Sequence, residues 1–422
     1  MRRESHPLKR LLMILGPGLI SGAADDDPSG IGTYAVAGAS LGFSTLWTML
    51  VMLPMMAATQ YISAKISMQT GMGLVAVLKR HYPRRLLYVA VFALVGANTI
   101  NAGADIGAVA AAINLLVPVP IAALIVPIGV LILVVQIWCS YRLIANIFKW
   151  LTLALLAYVA NAFLARPHLA EVLRATLVPT LRFDGHFMAV LVGILGTTIS
   201  PYLWFWQADQ EVEERIAAGQ KRLWQRRGTS ERELRYAAWD VNIGMLFSQV
   251  IGYFVILSTA ATLFHAGKTD VKSAADAAEA LRPLAGNAAR VLFALGLIGL
   301  GFLAIPVLSG SAAYAMAEAF GWRAGLDQKP RRAKEFYGII AASTLVGILI
   351  NYLGINPIDA LFFTAVIFGF LTPPLLALLM LVAQDRKVMG EHVNSPLLNI
   401  LGWATTVATA AAAAGLVGTW GK

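Results

Sequence analysis

The sequence predicts an all-α polytopic membrane protein with two interrupted helices, and three observations lead there. Of its 422 residues 58% are hydrophobic and only 13% charged, about half the roughly 25% charge of a soluble chain. Apolar runs follow one another from end to end, each long enough for a bilayer at about 20 to 25 residues a span. Two runs are broken in mid-course by a proline in a short polar segment, the sequence feature that best points to a midplane binding site. A soluble multidomain enzyme is excluded, and loops this short leave a single transmembrane domain over 1–422.

In chain order the runs lie near 11–40, 44–68, 86–114, 119–139, 143–164, 186–211, 236–264, 290–319, 335–353, 356–383 and 396–419, which makes eleven spans. Arg2, Arg3, Lys9 and Arg10 precede the first. No small-residue cleavage site separates them from the acidic cluster that follows, so this start reads as a retained cytoplasmic segment and not as a signal peptide. With the N-terminus inside, 25 of the 33 Lys and Arg fall in cytoplasmic loops, including those from Lys65 to Arg85 and from Arg215 to Arg235, against 8 outside. That is the asymmetry of a multi-pass cell-membrane protein with its C-terminus outside. The basic surplus sorts by alternate loops and forms no aromatic-interleaved stripe, so lipid is the expected partner, nucleic acid is not, and no obligatory protein partner is evident. Cys139 alone allows no intramolecular disulfide or cysteine cage, and beside Ile137 and Trp138 it reads as a packed residue.

Span 1 carries Asp25-Asp26-Asp27-Pro28-Ser29-Gly30 and span 6 carries Thr197-Thr198-Ile199-Ser200-Pro201-Tyr202. An odd number of spans separates corresponding elements, which reverses their direction, so about 11–164 and about 186–383 form an inverted five-plus-five repeat with 396–419 as an added helix. A broken helix leaves carbonyls that hydrocarbon cannot satisfy, so each break must line protein or a watery cavity. The incoming half of each span ends there with its C-terminus, the negative pole of the helix dipole, which suits a cation. Asp27 supplies formal charge. Successive carboxylates on a helix radiate about 100° apart, so one or two of Asp25, Asp26 and Asp27 face the site. The apolar run from Leu11 to Ala24 would reach roughly 21 Å, too deep for a surface turn.

In span 3, Asn98, Asn101 and Asp105 share one helix face. Asp105 either lines an ion pathway or clasps a neighbouring helix, while Asn98 and Asn101 read as packing. Asp240, Glu318 and Asp359 lie near span ends and read as solvated anchors. Gln207 faces the cavity on this reading and Asp209 meets water. The breaks offer carboxylate, hydroxyl and carbonyl oxygen without His, Cys or Met, a set that favours a hard cation over soft transition metals. His6, His81, His168, His186, His265 and His392 all fall in loops or at span ends.

These motifs, Gly16-Pro17-Gly18, Asp27-Pro28-Ser29-Gly30 and Gly196 to Tyr202, resemble those of the Nramp family of divalent-metal transporters over nearly the whole chain. The resemblance implies the amino acid-polyamine-organocation superfamily fold. Family members typically carry Asp-Pro-Gly-Asn in the first break and Met-Pro-His in the sixth span. Here Asp27, Pro28 and Pro201 match, but the asparagine has become Gly30, the methionine Ser200 and the histidine Tyr202. A further histidine falls at Gln207, and the partner acid of Asp105 falls at Ala108. This departure is similar to that of the Nramp-related magnesium transporters, which carry hydrated Mg2+, and also Mn2+, without evident proton coupling. The implied metal site has Asp27 as main charge with Asp26 or Asp25 tuning the cavity, carbonyls near Ala24 and Thr197, space at Gly30 and Ser200, and Gln207 and Asp105 nearby. The metal is cargo, and no cofactor is implied. The alternative is a proton-coupled Mn2+ or Fe2+ symporter of the same family.

An intramembrane aspartyl protease would need two acids sharing a proton, such as Asp27 with Asp105. It leaves both broken helices unexplained, and Ala102-Gly103-Ala104-Asp105 is the nearest approach to its motif. An amino acid carrier of this superfold is disfavoured because an acidic break repels a substrate carboxylate. No phosphate-binding Gly-x4-Gly-Lys-Ser/Thr loop is present, which leaves ATP-driven pumping without support.

Overall fold

The structure, a computed structural model, describes residues 17–138, 153–326 and 328–419. Cys139, the basic N-terminal residues and positions 143–152 of the expected fifth span lie outside the described residues.

Hydrocarbon offers backbone groups no partner, so an apolar chain in a bilayer satisfies them internally. The described residues accordingly form helices and no strand. The principal ones are α1 (Pro17–Asp25), α2 (Pro28–Leu41), α3 (Leu46–Thr70), α4 (Leu74–His81), α5 (Arg84–Leu116), α6 (Ile121–Trp138), α7 (Leu156–Leu164), α8 (Gly185–Thr198), α9 (Pro201–Ala217), α10 (Glu231–Thr259), α11 (Ala289–Phe320), α12 (Lys334–Ile350), α13 (Pro357–Gln384) and α14 (Pro396–Thr419). Among the described residues nine stretches are long and apolar enough to cross a membrane. The difference from eleven has two sources. Pro28–Thr70 joins the second half of span 1 to span 2 in one stretch, and span 5 is described only in part.

Both expected interruptions are present. The chain leaves helix after Asp25 and re-enters at Pro28, and leaves again after Thr198 to re-enter at Pro201. Proline suits these restarts because a helix cannot use the N–H of its first residue in any case. The half-helices pair crosswise, α1 against α9 and α2 against α8. Since α1 and α8 run into the breaks while α2 and α9 run out of them, the two interrupted helices are antiparallel and their breaks lie side by side.

Close backbone approach holds the half-helices against their neighbours. A Cβ on Gly22 of α1 would stand 2.2 Å from the Gly244 carbonyl oxygen of α10, and one on Gly196 of α8 would stand 2.0 Å from the Ala365 carbonyl oxygen of α13. Small residues are the usual means of bringing helices together where lipid gives no hydrophobic drive. Behind the breaks, α5 lies against α11, α12 and α13, which brings its polar face towards α2.

Several polar residues expected in water are buried by elements distant in sequence. Lys65, counted among the loop charges, is 4% exposed on α3 and donates from Nζ to Asn394 Oδ1 at 2.6 Å. Asp240 is buried because its Oδ2 accepts the Gly18 N–H at 2.6 Å and so anchors the start of α1. Asp209 is also buried. It meets the half-buried Glu318 at the start of α4, where Glu318 accepts the Ala76 N–H at 3.0 Å and a Cβ on Gly73 would lie 2.2 Å from Asp209 Oδ1 and 2.3 Å from Glu318 Oε1. Asp359 is exposed, in keeping with a surface anchor.

Candidate functional site

Asp27 occupies the first break with extended backbone and caps α2. Its Oδ1 accepts the Gly30 N–H at 2.7 Å and the Ser29 hydroxyl at 2.7 Å. Its Oδ2 accepts the Asn101 side-chain amide at 2.8 Å, and the Tyr202 hydroxyl stands 3.5 Å away while donating to the Ala24 carbonyl at 3.1 Å. Asn101 is held in turn by the Thr364 hydroxyl at 2.6 Å. Four helices, α2, α5, α9 and α13, thus converge on one carboxylate or its direct support. Burial of a charge is tolerable only with such donors or a cation.

The second break has the same proline but a different cap. Ser200 makes no side-chain cap bond to α9; its hydroxyl turns back to the Gly196 and Thr197 carbonyls at 2.8 and 2.6 Å. It therefore covers carbonyls that the end of α8 leaves open. Gly30 faces this break directly, since a Cβ there would lie 3.2 Å from Thr197 Oγ1, 3.3 Å from the Asp25 carbonyl oxygen and 3.4 Å from Asp27 Oδ1. Ala24, Asp27, Gly30, Thr197 and Ser200 accordingly belong to one neighbourhood, and each is buried.

Asp105 is fully buried and feels the charge of Asp27. It faces the Ser29 backbone N–H, yet neither of its oxygens closes a hydrogen bond of ordinary geometry. Asp105 thus stands beside Asp27 at the start of α2, with no side-chain partner on a neighbouring helix among the described residues. Asn98, by contrast, packs as expected, donating to the Leu308 carbonyl at 3.1 Å.

Two expected site residues stand apart from this group. Gln207 accepts the Ser21 hydroxyl at 2.7 Å and donates to Glu211 Oε1 at 2.9 Å, so its amide links α1 to α9 beyond the break. Asp26 turns with Asp25 towards α10, where the Ser248 hydroxyl lies 3.1 Å from Asp26 Oδ1 and 2.5 Å from Asp25 Oδ2.

Sequence reasoning placed Asn101 in packing and read Tyr202 only as a lost histidine. Both touch the Asp27 group. The signal for Asn101 was present, one turn before Asp105 on the same face, whereas nothing local marks Ser248 or Glu211. Among the described residues no three or more His, Cys, Asp or Glu side chains are grouped to hold a metal ion. The donors that do converge are oxygens, and His81, His168, His186, His265 and His392 are exposed or half-buried elsewhere.

Residues 18–419 match the model of the natural resistance-associated macrophage protein-like family, Nramp. Among solved structures, the chain is similar to the Eremococcus coleocola manganese transporter in complex with an aromatic bis-isothiourea substituted compound, at 16% identity and a TM-score of 0.75 over 100% of this chain and 90% of that one. A mutant form of the same transporter matches at 18% identity with a TM-score of 0.73 over the same shares. A nucleobase-cation-symport-1 family transporter in a closed conformation matches at 15% identity and a TM-score of 0.58, over 96% of this chain and 94% of that one. At these identities the structures speak for the fold alone.

Proposed function

We propose that this chain, which belongs to the Nramp family of membrane divalent-metal transporters, carries hydrated Mg2+, and also Mn2+, by alternating access and without obligatory proton movement. The repeats run over about 11–164 and 186–383, with the N-terminus in the cytoplasm and the C-terminus outside.

One observation carries the choice of ion. The side chains gathered on the first break are Asp27, Asp105, Asn101 and Tyr202, all of them oxygen-bearing. A soft ion has no thioether, thiolate or imidazole to prefer there. Mg2+ takes about six oxygens at roughly 2.0 to 2.1 Å and gives up its waters reluctantly, so few direct protein ligands suit it. On this reading Asp27 and Asp105 supply charge, the Ala24 and Thr197 carbonyls supply direct or water-mediated contacts, and Gly30 keeps a side chain out of the tight space between Thr197, Asp25 and Asp27. Asp26 and Gln207 act from the edges of the cavity. Mn2+ is included because its oxygen chemistry is close and because the similar Eremococcus coleocola protein is a manganese transporter.

Uncoupled movement is supported by what replaces the family's titrating groups: Tyr202, Gln207 and Ala108. Uptake of Mg2+, Mn2+ and Ca2+ into liposomes that contain an internal pH dye tests ion and coupling together. Mg2+ and Mn2+ entry without acidification is expected. Metal-dependent acidification above the leak control would instead favour a proton-coupled symporter, to which Glu211, hydrogen-bonded to Gln207, would offer a carboxyl group.

A further inference from the structure

We propose that Asp25 and Asp26, together with Ser248, form a second site for a hard divalent cation beside the Asp27 site. The proposal rests on the reading of the chain as a divalent-metal carrier.

The two carboxylates come from the end of α1 and the first residue of the break, and both turn to one hydroxyl on α10. The Ser248 oxygen lies 2.5 Å from Asp25 Oδ2 and 3.1 Å from Asp26 Oδ1. A serine has one proton to give, so it cannot donate fully to both. Independently, Asp25 Oδ1 and Asp26 Oδ2 have no hydrogen-bond partner among the described residues, although the side chains are 0% and 2% exposed. The contrast with Asp27, both of whose oxygens accept hydrogen bonds, is sharp.

Among the described residues no ion pair reaches either acid. Asp26 feels the charges of Asp25 and Asp27, and Asp25 feels that of Asp27. Tyr34 on α2 is near enough to feel both acids, and its hydroxyl shares a 2.9 Å hydrogen bond with Thr198 at the second break. Two buried carboxylates with open lone pairs, a serine hydroxyl and the carbonyl end of α1 bring oxygen ligands together, and when both acids are ionised they carry two negative charges to balance. A divalent ion balances them in one step, whereas a monovalent ion leaves one charge over. With so few protein ligands, the ion keeps several of its waters.

Mn2+ serves as the probe, by equilibrium dialysis at saturation and by electron paramagnetic resonance on the purified full chain in detergent. The parent is expected to bind two equivalents that broaden each other's spectrum, as ions in neighbouring sites must. Asp25→Asn with Asp26→Asn should leave one narrow-line equivalent, and Asp27→Asn should separately remove the other. Size exclusion and thermal unfolding establish that each variant is folded, and if the double variant is not, the mutual broadening in the parent still decides. A parent with a single, magnetically isolated equivalent that Asp27→Asn removes overturns this site and leaves the carrier reading standing. No bound Mn2+ at all defeats both. A folded double variant that retains two equivalents overturns the proposal and makes the acid pair a holder of protons.

Discussion

At the scale of single residues, Asp27 combines two tasks that substitution can separate. It caps α2 through the Gly30 N–H and, on the proposed reading, carries the charge of the site. Asparagine caps a helix about as well as aspartate, so Asp27→Asn keeps the α2 cap while setting its amide N–H against the Asn101 donor, and is expected to fold with a modestly lower melting temperature and to lose Mg2+ uptake in liposomes. Parent-rate transport by the purified variant would remove Asp27 from the site. On the proposed reading, Gly30 and Ser200 govern the choice of ion. A side chain at Gly30 enters the 3.2 to 3.4 Å surroundings of Thr197 and Asp27, while methionine at Ser200 adds a soft sulfur and uncovers the Gly196 and Thr197 carbonyls. Ser200→Met with Gly30→Asn should therefore weaken Mg2+ binding and raise the relative affinity for Cd2+ or Mn2+. Calorimetric titration reads this directly, and an unchanged order among the three ions in a folded variant would show that these positions do not choose the metal. That Asp27, Gly30 and Asp105 lie together was legible in the sequence because breaks and helix faces are local patterns. Asn101 and Tyr202 were less so, since their role depends on which remote helix arrives opposite them.

At the scale of elements, the half-helix α1 is fastened by contact of backbone on backbone. A methyl at Gly22 would sit 2.2 Å from the Gly244 carbonyl oxygen, which no side-chain rotation relieves, so α1 must shift away from α10. Overpacking of this kind costs about 1 to 3 kcal/mol, and Gly22→Ala should unfold at a lower temperature than the parent in detergent. Equal melting temperatures would mean that α1 moves at no cost. Both breaks were readable because a proline follows a polar residue within an apolar run, a pattern that restarts a helix without losing a hydrogen bond. The burial of Asp209, Asp240 and Glu318 was not readable. Position near a span end suggests water, but α4 and the start of α1 cover those ends, and only the tertiary arrangement brings them there.

For the whole molecule, the membrane class and the antiparallel breaks follow from composition and from the order of apolar runs, while coupling depends on groups from several helices at once. The chain carries buried acids on α1, α5 and α9, yet the positions where relatives place titrating partners hold Tyr202, Gln207 and Ala108. Metal uptake is accordingly expected to proceed at equal rates with and without a proton ionophore, and a rate that collapses on addition of the ionophore at zero membrane potential would establish coupling. The clasp of Asp209 and Glu318 on Gly73 ties α9 to α11 and α4. Gly73→Ala should force the two carboxylates apart and make a cysteine introduced at Ser21 react faster with a water-soluble thiol reagent; an unchanged labelling rate would show that the clasp does not hold that end shut. A last consequence comes from the burial of the site itself, where Asp27, Asp105, Ser200 and Tyr202 are each 1% exposed or less. Ions that must wait for helices to part cross one event at a time, on the microsecond-to-second scale of such rearrangements. In a planar bilayer the protein should therefore be electrically quiet, with no unitary current steps, and its flux should fall steeply on cooling, where that of an open water-filled pore would decline only as gently as diffusion in water.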